Sequence, residues 1–239
     1  MKLPNISTLN INIKNEDLHN MQILHLSDLH INTKTSNKDI ELLVNNCNNT
    51  KYDILVITGD IIDCKVKKIE EKLKILNKLK KVYYISGNHD LFYGIKDLEK
   101  ILDNFNFIDN KTLFIKYNNK NIALAGLSDR FSKFFKIKRE EIKVFKFLNE
   151  NKNSILLAHQ PKDYNFAVNT NTNLFLCGHT HGGQIFPFHY LVRLVQPFLA
   201  GLFYRKNSAI YVNKGLGTWG IDFRFKANSE ITLLKLLYK

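Results

Sequence analysis

The chain has only three cysteines in 239 residues, an odd number with no CxxC pair, which argues against a disulfide framework. Cys47, Cys64 and Cys177 are therefore expected to be reduced, in a cytoplasmic compartment, with Cys64 and Cys177 as core residues and not ligands. Four prolines and 11 glycines exclude collagen-like and proline-rich architectures, and the glycines cluster at a few short motifs. No apolar run follows Met1-Lys2-Leu3-Pro4, so no cleaved signal peptide is expected. No charge-free stretch is long enough for a secure membrane span. Repeats and low-complexity linkers are missing too, and a single domain over 1–239 is the expectation.

A hydrophobic share of 44% supports a sizeable core. Thirty-five basic against 22 acidic residues give a formal charge of +13. That excess suits an anionic partner, whether nucleic acid, phosphorylated metabolite or acidic membrane surface. The chain is also rich in Asn, Lys and Ile, so a merely solvated basic surface is the plain alternative.

Apolar strands alternate with amphipathic helices. Strands are expected at 22–26, 54–58 and 82–85, with helices at 38–47, 66–80 and 95–102 between and after them. This β-α-β-α-β-α order argues for an α/β fold with parallel strands. The second half holds more strand: a hairpin of 112–116 and 122–126 through Asn118-Asn119, then 155–158, 174–177, 209–212 and 231–237, with a helix at 140–149. A second, partly antiparallel sheet packed on the first is the expectation.

The chemistry-bearing residues sit at strand ends. Asp28 and His30 follow the first strand of this series, Gly59-Asp60 the second, and Gly87-Asn88-His89-Asp90 the third. His159 follows a later strand and Gly178-His179-Thr180-His181 the next. In open α/β sheets, ligands bind beyond the carboxyl ends of strands. Each piece alone has an ordinary reading: a helix cap, a turn, a surface histidine. Five together, all of metal-ligand type, do not. Carboxylate, amide oxygen and imidazole suit a hard to borderline divalent ion, with Mn first and Fe, Zn or Co as alternatives.

Read in order as SDLH (27–30), GD (59–60), GNHD (87–90), AHQP (158–161) and GHTH (178–181), these blocks resemble the calcineurin-like metallophosphoesterases. The resemblance implies a four-layer α-β-β-α sandwich of two mixed sheets flanked by helices. It implies a first metal on Asp28, His30 and His181, a second on Asn88, His159 and His179, and Asp60 bridging them. A hydroxide bridging the two ions would attack phosphorus, and His89 would protonate the leaving oxygen. Asp63, in GDIID, would orient His89; a cap for the helix near Val66 is the alternative. Cys64-Lys65 stand where protein phosphatases carry an arginine, which disfavours that activity. The strings GHTHGGQ (178–184) and NKGLGTWG (213–220) look like a branch of small, often membrane-associated bacterial phosphodiesterases.

Two segments bear on substrate. Residues 128–146 include Arg130–Arg139, where bases alternate with aromatics, and read as a cap suited to anionic headgroups or single-stranded nucleic acid. Residues 185–206 are apolar but broken by Pro187 and Pro197, and read as a lid, a membrane-facing segment or buried core. The expected substrate is a lipid-linked phosphodiester or pyrophosphate at the inner membrane surface. The alternatives are a soluble nucleotide or nucleic-acid phosphodiesterase and, remotely, a non-catalytic scaffold.

Overall fold

Short apolar strands, the central ones buried on both faces, build two sheets in a computed structural model that describes residues 3–239. The strands are β1 (Ile6–Ile13), β2 (Gln22–Leu26), β3 (Ile54–Ile57), β4 (Val82–Tyr84), β5 (Asn106–Phe107), β6 (Thr112–Tyr117), β7 (Lys120–Gly126), β8 (Ser154–Leu157), β9 (Leu174–Cys177), β10 (Gly201–Arg205), β11 (Ser208–Val212) and β12 (Ile231–Tyr238). The helices are α1 (Asn37–Asn48), α2 (Glu70–Leu76), α3 (Asn88–Tyr93), α4 (Ile95–Ile101), α5 (Glu141–Glu150), α6 (Tyr164–Val168) and α7 (His189–Val195).

One sheet runs β1-β12-β2-β3-β4-β5, and the other β10-β11-β9-β8-β7-β6. In the first, β2 to β5 are parallel and β12 runs against β2. In the second, β11, β9, β8 and β7 are parallel, while β10 and β6 pair antiparallel at the edges. Strand period sorts the side chains into three apolar layers. Ile23 and Val56 point between the sheets, where they meet Ile155 and Leu174. Leu24, Leu26, Leu55 and Ile57 point outward to Ile40, Leu43 and Leu73 of α1 and α2. Leu156, Phe175 and Ile210 pack outward against Val144 and Leu148 of α5. The result is helix, sheet, sheet, helix.

Helix α1 starts on a capping box, in which the Ser36 side chain accepts from the Asp39 backbone N–H at 3.1 Å. The hairpin between β6 and β7 turns through Asn118 and Asn119, both at positive φ, as expected. Three expectations need correction. The series of strands begins earlier, with β1, whose alternating ISTLNINI pairs in parallel with β12. The helix expected over 66–80 is a 3-10 turn at 66–68 followed by the seven-residue α2. Within 185–206, Gly201–Arg205 joins the second sheet as an edge strand, leaving α7 as the segment's helix. Among the described residues, no helix is long and apolar enough to cross a membrane.

Candidate metal centre

Five strand ends meet at one rim. From the first sheet, β2 delivers Asp28 and His30, β3 delivers Asp60, and β4 leads to Asn88 and His89 at the start of α3. From the second, β8 delivers His159 and β9 delivers His179 and His181. The side chains gather into two groups, Asp28 with His30 and His181, and Asp60 with His159 and His179, and His30 also falls in a third with Asp63 and His89.

The spacing is that of donors around an ion. Two donors bound at about 2.1 Å to one cation stand about 3.0–3.4 Å apart. Here His30 Nε2 and His181 Nε2 are 3.1 Å apart, and His181 Nε2 lies 3.4 Å from Asp28 Oδ1. In the second group His179 Nδ1 and His159 Nε2 are 3.1 Å apart, and His159 Nε2 lies 3.3 Å from Asp60 Oδ2. The same Asp60 oxygen stands 3.7 Å from His30 Nε2, so it faces both groups. His159 Nδ1 donates to the Thr58 carbonyl at 2.6 Å, which leaves the Nε2 lone pair facing the site.

The residues fit divalent cations on electrostatic grounds. Asp28 and Asp60 are buried, and among the described residues no lysine or arginine forms an ion pair with either. Asp28 accepts from Ser27 Oγ and Asp60 from the His89 backbone N–H, but two buried carboxylates still call for positive charge, which bound cations would supply. Asn88 Oδ1 is buried with no hydrogen-bond partner among the described residues, an acceptor open to a donor or an ion. Burial pushes His181 down to about 3 and His179 down to about 4, so both imidazoles are neutral and would not repel a cation. Burial raises the Asp60 pKa, but positive charge on its His159 side outweighs this and holds the carboxyl well below its usual range, a charge that a cation would supply where the His159 ring is neutral.

The backbone is strained where these groups sit. Asp28, His30, Asp60, His179 and His181 all have positive φ, between 46° and 71°. Left-handed backbone at non-glycine residues is uncommon and concentrates at functional sites. The flanking glycines allow the approach. A Cβ on Gly59, itself at φ +94°, would lie 2.6 Å from Gly87 N, and one on Gly178 would lie 1.9 Å from Ser27 Oγ.

His89 stands beside the two groups rather than in either. Its Nδ1 is 2.7 Å from Asp63 Oδ1, and the same oxygen lies 3.9 Å from His30 Nδ1. The turn at 66–68 has no side-chain cap, so Asp63 serves the histidines and not a helix end. Desolvation lowers the His89 pKa, but the Asp63 hydrogen bond and the charges of Asp60 and Asp63 outweigh it and raise it.

Sequence reasoning gave no role to several residues. Asp90 is fully buried and accepts from the backbone N–H groups of Gly87 at 2.9 Å, Ile61 at 2.8 Å and Ile62 at 3.2 Å, tying the Asp60 loop to the Asn88 loop. Burial and the Asp60 charge push it up to about 7. Arg224 donates to the Lys214, Ala227 and Gly217 carbonyls and stands 3.0 Å from His181 Nδ1, closing the 213–227 loop over that imidazole. Gln184 donates to the Trp219 and Ile221 carbonyls and accepts from the Trp219 N–H. Its place in GHTHGGQ, and that of Asp90 in GNHD, were the available signals.

Above the metal groups opens a cleft of about 500 Å³. Its floor holds Asp60, Asn88, His89, His179 and His181, and its walls are apolar, with Phe131, Ile185, Phe188, Leu191, Trp219 and Ile221. No residue of α7 is buried, although its sequence is HYLVRLV.

The model of the calcineurin-like phosphoesterase family matches residues 21–183, and the chain belongs to that family. It is 37% identical over 231 residues to an uncharacterized metallophosphoesterase of Helicobacter pylori, covering 92% of this chain and 60% of that protein. It is 30% identical to a transmembrane protein with metallophosphoesterase domain of Danio rerio, covering 92% of this chain and 54% of that one. The chain thus spans between half and two thirds of the length of these relatives. Among solved structures, the NAD nucleotidase of Haemophilus influenzae shares the fold, with a TM-score of 0.55 at 16% identity over 82% of this chain and 45% of its own.

Proposed function

We propose that this protein is a dinuclear metal-dependent phosphoesterase that cleaves a lipid-linked phosphodiester or pyrophosphate at a membrane surface. The observation that carries the substrate reading is the apolar cleft, which opens directly onto Asp60, Asn88 and His89. A substrate with one hydrocarbon side would bury it against Leu191, Ile221 and their neighbours while the phosphate reaches the floor. Two divalent ions, Mn first, with Fe, Zn or Co as alternatives, would supply an activated water near neutral pH and offset phosphoryl charge. The chain's own residues do the rest. Asp28, His30 and His181 would hold one ion and Asn88, His159 and His179 the other, with Asp60 shared. His89, oriented by Asp63, would give its proton to the leaving oxygen.

The membrane reading draws support from the exposed face of α7, from Phe134 and from the bases Arg130, Lys133, Lys136 and Lys138 on the neighbouring rim. The test compares an acylated phosphodiester, a cyclic nucleotide and bis-p-nitrophenyl phosphate with the metal-loaded full chain. A preference in kcat/KM for the acylated compound is expected. A preference for the cyclic nucleotide would replace the lipid reading with a soluble nucleotide phosphodiesterase, and no hydrolysis of any would overturn the enzyme reading.

A further inference from the structure

Behind Asp28 lies a buried chain of hydrogen bonds in which every hydrogen points the same way. His25 Nε2 lies 2.9 Å from Thr58 Oγ1, Thr58 Oγ1 lies 2.9 Å from Ser27 Oγ, and Ser27 Oγ lies 2.6 Å from Asp28 Oδ2. All four residues are fully buried. The direction follows from elimination. The Asp28 carboxylate accepts from Ser27, and the Ser27 oxygen then accepts from the Thr58 hydroxyl. Thr58 in turn accepts from His25, whose proton therefore sits on Nε2. His25 Nδ1 has no partner among the described residues, so the opposite tautomer would leave a buried N–H unsatisfied. Burial keeps the ring neutral, its pKa pushed down to about 3.

This arrangement is poor for stability taken alone. A leucine of similar size would fill the space beside Tyr211, whose ring is 5.7 Å away, without an orphaned lone pair. What the chain does is hold Asp28. It engages Oδ2, while the His179 backbone N–H is shared between Oδ2 at 3.0 Å and Oδ1 at 3.2 Å, and Oδ1 faces His181. Thr58 has a second connection through its carbonyl, which fixes the His159 ring. Its side chain serves one group of ligands and its backbone the other.

We infer that His25, Thr58 and Ser27 are positioning residues that set the geometry of Asp28 and thereby the hold on the first of two divalent ions, leaving the second ion unaffected. The inference rests on the reading of Asp28 as a metal ligand.

The test loads the full chain with Co²⁺ and follows its visible absorption while a competing chelator removes the ion. In Thr58→Val one of the two ions should be lost about tenfold more readily, as expected for a partner behind a ligand. Thr58→Ser, which keeps the hydroxyl, should match the wild type. His25→Leu should reproduce the Thr58→Val loss with an unchanged or raised Tm in chelator, because it removes an orphaned polar atom. The inference is overturned if both variants hold both ions as tightly as the wild type. It is equally overturned if metal loss tracks a falling Tm, or if both ions weaken together. A wild-type chain that takes up no cobalt would sink the metal reading itself, and with it this inference.

Discussion

Asp63 Oδ1 and His89 Nδ1 stand 2.7 Å apart, and the carboxylate raises the pKa of the imidazole against the opposing effect of burial. A general acid must be protonated, so activity falls as pH rises through the His89 pKa. Raising that pKa extends activity to higher pH. Asp63→Asn removes the charge, so the alkaline limb of kcat/KM against pH should move to lower pH. An unmoved limb would show that another group supplies the proton.

One oxygen of Asp60 lies 3.7 Å from His30 Nε2 and 3.3 Å from His159 Nε2, between the two groups. Asp60→Ala should lower turnover of bis-p-nitrophenyl phosphate by at least about 100-fold, exceeding the usual loss for a residue merely behind a ligand. Elemental analysis of the variant should find fewer than two ions per chain. Full occupancy with full turnover would remove the bridging role.

Stripping with a chelator should abolish hydrolysis, and Mn²⁺ should restore it. Ions held by these buried side chains would bind the folded state alone, so Tm should rise with added Mn²⁺, by the equivalent of about 2.7 kcal/mol at a hundredfold excess over Kd. Calorimetric scans across a Mn²⁺ series measure it, and a flat Tm would contradict a buried two-ion site.

Asp90 accepts three backbone N–H bonds that join two ligand loops. Asp90→Ala should destabilise the fold by about 1–3 kcal/mol, because it leaves buried donors unpaired. Urea unfolding of the loaded protein would register this as a lower midpoint at constant m.

Leu194, on the uncovered helix α7, is 81% exposed, so Leu194→Asp should leave stability within about 0.5 kcal/mol. It should nonetheless reduce flotation with acidic liposomes and spare hydrolysis of a short soluble diester. Unchanged flotation would separate the apolar helix from any membrane role.

Much of this was legible along the chain because strand signals are local. The runs QILHL and ILVI announced β2 and β3 by composition, and ligand-type residues followed each. The strand β1 was missed because Asn10 and Asn12 interrupt its apolar character; what makes it a strand is its pairing with β12, more than 200 residues away. The apolar segment 185–206 could not be divided from its sequence, since only the register with β11 assigns Gly201–Arg205 to the sheet.

By itself the sequence determined which residues could ligate and that they follow strands, since residue chemistry and strand period are properties of short stretches. Only the tertiary structure decided which nitrogen of each histidine faces the site, that one oxygen of Asp60 looks both ways, and that His25 backs Asp28 through two hydroxyls. Those are distances between side chains on different strands, set by how two twisted sheets pack, and no local pattern encodes them.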